Sequence, residues 1–205
     1  MDIGLIFRVG FILLWVLFIA SRVIPSRGLP AMKSTRKERR EAFGKEGLLV
    51  LLMLIASTYG NLIVGGLYLL DPPWMLWSYL NMPLELRLLG LTVSVLSLPY
   101  TYWIGKTLAK NYYYTVKIQK DQSLVTTGPY KRIRHPMYLV IMLFIASLVF
   151  VTDNWLLVVI LMLMAPGLYK RIKIEEQAMI GEFGDEYIAY MKRTGRLFPK
   201  LRQSQ

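Results

Sequence analysis

Long apolar runs separated by basic stretches leave this chain few folds to choose from. Leu5 to Ile24, Gly47 to Leu70 and Leu84 to Leu108 are each about 20 residues or more, enough at 1.5 Å per residue to cross a hydrocarbon core of ~30 Å. A further apolar region runs from Met137 to Tyr169 and is interrupted by Thr152-Asp153-Asn154. Three consecutive polar residues there predict a turn between a fourth and a fifth helix. Each arm, at about 15 residues, rises ~22 Å, so this pair must thin the bilayer, extend into its flanks or turn below the far interface. The expected fold is an all-α integral membrane bundle of about five transmembrane helices with a cytoplasmic C-terminal helical cap. The first run could be a signal peptide, but it is long and no small-residue cleavage site follows it, so a membrane helix is expected.

Composition agrees. Of 205 residues, 55% are hydrophobic, above the roughly 45–50% of soluble domains. The net charge of +12 could suggest nucleic acid, but its placement argues for a lipid bilayer as partner and no nucleic acid. Eight Lys/Arg fall between Arg22 and Glu46, seven between Gly105 and Pro136, and eight from Lys170 onward. Asp71 to Pro83 carries none. Basic loops stay in the cytoplasm, so an outside N-terminus and a cytoplasmic C-terminus and active site are expected. The two cations outside these segments, Arg8 and Arg87, lie near helix ends, from which Arg8 can snorkel to the interface. Pro99 predicts a kink in the third helix. Asp71-Pro72-Pro73 signals a turn, and Trp74, Trp77 and Tyr79 suit an interfacial aromatic belt. The mixed-charge segment Ser34 to Lys45 reads as an interfacial helix or loop.

Absent residue types narrow the chemistry. With no cysteine, disulfides, zinc thiolates and a thiol nucleophile are excluded. A lone histidine, His135, leaves little room for a histidine-based metal site or a Ser-His-Asp triad, and no metal is expected. A single fold unit is expected, in which residues 1–110 supply three membrane helices with a basic loop and residues 111–205 supply a loop, the hairpin of the fourth and fifth helices and the C-terminal helices.

Two features can carry chemistry. Gly128-Pro129 is a turn, and Pro136 suits the first turn of the fourth helix, which puts His135 at or near its N-cap. Free N–H groups there, with Arg134 and His135 beside them, attract an anionic group such as a carboxylate. Taken alone, the pattern is first read as Arg134 marking the membrane boundary and His135 capping the helix. After the fifth helix comes Arg171-Ile172-Lys173-Ile174-Glu175-Glu176. Arg171 and Glu175 share a helix face, and Glu176 lies about 100° around the axis. This acidic pair can hold an ammonium, or it can be a solvated, self-paired stripe. The hairpin brings the two features together, offering groups for both ends of a zwitterionic amino acid.

These residues carry a family resemblance. Gly128-Pro129-Tyr130, Arg134-His135-Pro136-Met137-Tyr138, Glu175-Glu176 and Phe183-Gly184-Asp185-Glu186-Tyr187 resemble the isoprenylcysteine carboxyl methyltransferase family, integral membrane enzymes that use S-adenosylmethionine. The ending Thr194-Gly195-Arg196-Leu197-Phe198-Pro199 is similar as well. The resemblance spans about Asn111 to Lys200; the first three helices share only hydrophobicity. Phospholipid N-methyltransferases and small-thiol methyltransferases share the pattern, so it speaks to cofactor and reaction more than to acceptor. Gln122 and Val140 depart from it, standing where many relatives carry His and Gly. No G-x-G-x-x-G fingerprint is present.

The resemblance implies methyl transfer from S-adenosylmethionine, with S-adenosylhomocysteine as product, to a lipophilic or lipidated acceptor, first of all an isoprenylcysteine-like carboxylate. Phospholipid or small-thiol methylation and a non-enzymatic membrane role are the alternatives. It further implies that His135, Pro136, Tyr138, Glu175 and Glu176 bind the amino-acid portion of the cofactor. Ile118, Leu124, Val125, Gly128 and Tyr130 would shape the adenosine pocket. Arg171, Arg134 and Glu176 are the candidate catalytic residues. Arg171 would orient an acceptor carboxylate through its bidentate fork, and Arg134 would do the same for the cofactor.

Overall fold

A computed structural model describes residues 2–26, 47–108 and 123–200. The expectations for Ser34–Lys45, for Ile118 and its neighbours and for Gln122 lie outside the described residues. Among the described residues there is no β-strand, and the chain is an all-α bundle. Its helices are α1 (Ile3–Ser26), α2 (Leu48–Leu70), α3 (Leu84–Leu108), α4 (Pro136–Thr152), α5 (Leu156–Phe183) and α6 (Asp185–Arg193). Short 3-10 turns occupy Pro73–Ser78 and Gly128–Lys131. Of these helices, α1, α2 and α3 are long and apolar enough to cross a membrane, and α4 is a shorter apolar helix of 17 residues.

The helices divide their surface as a lipid-embedded protein does. On α1, Phe7, Phe11, Leu14 and Phe18 recur at helical spacing and are buried, while Leu13, Val16, Leu17 and Ile19 on the other side are exposed. Along α2, Leu49, Leu52, Leu62 and Ile63 are exposed in the same way. A helix apolar on both faces, one packed and one open, is stable only if lipid covers the open face. The packed faces meet in one core, where Phe18 stacks on Phe144 of α4 at 3.9 Å between ring centroids and Trp15 meets Phe144 edge-on at 5.6 Å.

The contact between α3 and α4 uses small residues, as interfaces in lipid require. A Cβ added at Gly90 would lie 2.5 Å from the Phe150 Cβ and 2.8 Å from the Ser147 carbonyl, so only hydrogen fits there. One turn on, the Ser94 and Ser147 hydroxyls meet at 2.6 Å, both fully buried. Helix α3 continues through Pro99.

The α4–α5 turn forms at the expected Thr152-Asp153-Asn154. Asp153 takes a left-handed conformation (φ 56°) and returns its N–H to the Val149 carbonyl, closing α4. The tip is tied to the Pro73–Ser78 turn. Asn154 Nδ2 donates to Ser78 Oγ at 2.8 Å, and Leu80 N donates to the Asp153 carbonyl at 2.9 Å. The hairpin therefore reaches the level at which α2 ends and α3 begins.

Three local expectations are corrected. The fifth helix does not stop near Arg171 but runs 28 residues to Phe183, through Pro166, so Arg171 is mid-helix. Arg8 does not simply snorkel; it forms an ion pair with Asp71. Trp74 and Trp77 are exposed as a belt requires, but Tyr79 turns inward and donates to Asp71 Oδ1 at 2.7 Å.

Candidate active site

Local backbone chemistry brings three segments to the polar end of the α4–α5 hairpin. Pro136 occupies the first turn of α4, with His135 at the N-cap, but the His135 side chain makes no capping bond. Its ring is turned toward α5 instead. The chain after α6 then returns alongside residues 132–135. Gly195 N donates to the Arg132 carbonyl at 3.1 Å, Arg134 N to the Gly195 carbonyl at 2.9 Å and His135 N to the Arg196 carbonyl at 3.0 Å. This short parallel pairing fixes Arg196 over the start of α4. Tyr190 strengthens the clamp by donating its hydroxyl to the Tyr130 carbonyl at 2.7 Å.

Glu176 lies at the centre, 3% exposed. Arg134 Nε donates to its Oε1 at 2.9 Å, and His135 Nε2 stands 3.3 Å from the same oxygen. Arg196 donates to Oε2 through Nε at 3.0 Å and Nη2 at 2.6 Å. Burial would raise the Glu176 carboxyl, but the hydrogen bonds from His135, Arg196 and Arg134 outweigh it and hold the group well below the usual carboxylate range. Arg134 is itself buried and also donates to the carbonyls of Thr194 and Met191.

A second, more open layer surrounds Glu175, whose side chain is one-third exposed. Tyr138 donates its hydroxyl to Glu175 Oε2 at 2.9 Å and accepts from Arg171 Nε at 3.1 Å. His135 Nδ1 is 3.7 Å from the same Glu175 oxygen. The imidazole thus stands between the two carboxylates, one ring nitrogen toward each. Arg171 and Glu175, one helical turn apart, are bridged by the Tyr138 hydroxyl from the facing helix.

Arg134, His135, Tyr138, Arg171, Glu175 and Glu176 therefore converge, with Pro136 buried beneath them. Val125 and Tyr130 lie in a separate apolar cluster with Ile104, Met137 and Val140. Val140 is 1% exposed, so it fills this cluster. Leu124 is half-buried. Gly128 has φ +55° and would place a Cβ 3.1 Å from the Thr107 side chain, so this turn suits glycine twice over. Ile118 lies outside the described residues.

The expectation did not include Arg196, which the structure brings onto Glu176. Its signal in the sequence is Thr194-Gly195-Arg196, where a glycine lets the chain return and an arginine follows it. Among the described residues, no group of three potential metal ligands comes together.

Residues 88–181 match the model of the Isoprenylcysteine carboxyl methyltransferase (ICMT) family. The chain is also 31% identical over 83 residues to the cobalt-zinc-cadmium resistance protein CzcN of Cupriavidus metallidurans. It is 34% identical over 83 residues to the nickel-cobalt-cadmium resistance protein NccN of Alcaligenes xylosoxydans xylosoxydans. Each match covers 40% of this chain, and 38% and 39% of the two relatives, so it spans about two-fifths of their length.

Proposed function

We propose that this chain is a membrane methyltransferase that uses S-adenosylmethionine to methylate a lipophilic carboxylate, a reading supported by the match of residues 88–181 to the isoprenylcysteine carboxyl methyltransferase family model. The observation that carries the reading is the split between the two glutamates. Glu176 is consumed by protein cations, whereas Glu175 is accessible, beside the Arg171 guanidinium and the Tyr138 hydroxyl. A zwitterionic amino acid offers an ammonium that a partly exposed carboxylate can hold, so Glu175 with the Tyr138 hydroxyl fits the ammonium of the cofactor's methionine portion. The apolar cluster of Val125 and Tyr130 fits an adenine and ribose.

In this reading the bound cofactor supplies a methyl group already activated by its sulfonium. Glu175 receives the ammonium. His135 and Tyr138 fix the rotamer of Glu175, His135 from one side and Tyr138 by donation. Glu176, with Arg134 and Arg196, holds the tail over the start of α4 and limits water around the reacting atoms. Arg171 presents a planar fork to the acceptor carboxylate, which needs no general base once aligned. The membrane delivers the acceptor, because α4 and α5 continue from this site into the lipid-exposed bundle. The basic segments favour a cytoplasmic location for this end, with the Pro73–Ser78 turn outside.

The names of the two relatives speak of metal resistance. Titration calorimetry of detergent-purified protein with S-adenosylhomocysteine tests the reading. Binding lost in Glu175→Gln is expected; a folded, monodisperse sample that takes up no ligand would overturn it.

A further inference from the structure

The opposite end of the bundle holds a second polar site. A cavity of about 240 Å³ is lined by Arg8, Tyr68, Asp71, Tyr79, Arg87 and Asp153, among others. Arg8 and Arg87 are the two cations that lie outside the three basic segments of the sequence, and they meet here. Helix α4, with 17 residues, separates this cavity from His135 by roughly 25 Å, so the two sites are distinct.

Its hydrogen bonds are incomplete mainly among the donors. Asp71 is fully engaged, with one oxygen paired to Arg8 and the other accepting from Tyr79. Asp153 Oδ1 accepts from Met82 N at 2.9 Å. The donors are less well served. Arg87 gives one bond to the Val151 carbonyl at 3.1 Å and lies 3.9 Å over the Phe7 ring, and its buried Nε has no acceptor. The Tyr68 hydroxyl faces the same guanidinium, another donor, and its own proton has no acceptor, on a residue only 3% exposed. A buried donor left unpaired costs about 1–3 kcal/mol, so two at one cavity point to a missing acceptor.

The charges say what kind of acceptor. Two arginines and two aspartates line the cavity, so it is neutral overall while its charges are separated. Arg87 has no carboxylate within ion-pair distance among the described residues. A simple anion would meet Asp153, whereas a group carrying both an anion and a cation satisfies both sides. Trp74 and Trp77 lie on the Pro73–Ser78 turn, whose Leu76 lines the cavity, and are 61% and 60% exposed, as residues at headgroup depth are.

The geometry points to a binding site for the headgroup of a zwitterionic phospholipid, with its phosphodiester on Arg87 and Tyr68 and its ammonium toward Asp153. The lipid is a bound ligand of the bundle at the end remote from the proposed methyl-transfer site, and it ties α1, α2, α3 and the hairpin tip together.

The test uses full-length protein in detergent, stripped of lipid, then titrated with phosphatidylethanolamine, phosphatidylglycerol or inorganic phosphate. Native mass spectrometry reads the bound lipid and thermal unfolding reads its effect. Phosphatidylethanolamine should bind and raise the Tm. Tyr68→Phe, which removes only the hydroxyl, should weaken that binding about tenfold, and Arg87→Gln should abolish it. Should Arg87→Gln fail to fold, Tyr68→Phe decides alone. Equal binding by Tyr68→Phe and the parent, equal response to phosphatidylglycerol, or a response to inorganic phosphate alone would each overturn the proposal.

Discussion

Replacing Glu176 by Gln should unfold the polar end of the hairpin far more than it perturbs anything else. Glu176 is 3% exposed and accepts from two arginines, with His135 at 3.3 Å. The amide keeps the shape but leaves two buried or half-buried guanidiniums without an anion. Breaking a buried pair in this way costs about 3–5 kcal/mol. Arg134 retains its bonds to the Thr194 and Met191 carbonyls, so the lower end of that range applies, about 3 kcal/mol. For a chain of 205 residues this lowers the Tm by roughly 6–12 °C. Glu175→Gln is the control. Glu175 is one-third exposed, and in Gln its bond from Tyr138 changes from charge-assisted to neutral, a loss of about 1 kcal/mol and a few degrees. In a thermal scan of both variants in detergent, Glu176→Gln should fall well below Glu175→Gln. In S-adenosylhomocysteine titrations at low temperature, Glu175→Gln should show the direct loss of affinity. Equal Tm values for the two variants would refute the assignment of Glu176 to the protein's own scaffold.

Acid should act through the same carboxylate. Its folded pKa is depressed, so its stabilising contribution is present above the ordinary carboxylate value of 4.5 and fades as pH falls below it. The Tm of the parent should drop there, and that of Glu176→Gln should drop less. Gly90→Leu should destabilise the α3–α4 contact by about 1–3 kcal/mol or abolish folding, since the Phe150 side chain and the Ser147 carbonyl leave no room; unfolding of the purified variant measures it. Arg171→Lys should impair methyl transfer to a prenylated cysteine analogue far more than cofactor affinity, because lysine keeps the charge and loses the planar fork. Reporter fusions should place the C-terminus in the cytoplasm and the Pro73–Ser78 turn on the other side.

Much of the bundle was legible because hydropathy fixes it. The three long spans appear within a few residues of their expected limits, and Thr152-Asp153-Asn154 makes the expected turn. What hydropathy does not see is helix continuity once a span leaves the lipid. The apolar run ends at Tyr169, yet the hydrogen-bonded register persists to Phe183, which is why the helix appeared to end at Arg171. The meeting of Arg134 and His135 with Glu175 and Glu176 was readable, because a hairpin brings its two free ends together. The division of labour within that acidic pair was not. It depends on Arg196, 20 residues farther along, which arrives by chain return rather than by helical spacing. The Arg8–Asp71 pair was hidden for a similar reason, as its partners are 63 residues apart on different helices.

The most direct test of the account is transfer of a radiolabelled methyl group from S-adenosylmethionine to a prenylated cysteine analogue by the purified protein. The account predicts label in the organic phase that base hydrolysis releases as volatile methanol, the mark of a carboxyl ester. It also predicts that the label is lost in Glu175→Gln. Label that resists base would assign the methyl group to nitrogen or sulfur instead. No transfer to any lipophilic acceptor, from protein that binds S-adenosylhomocysteine, would contradict the enzymatic reading itself.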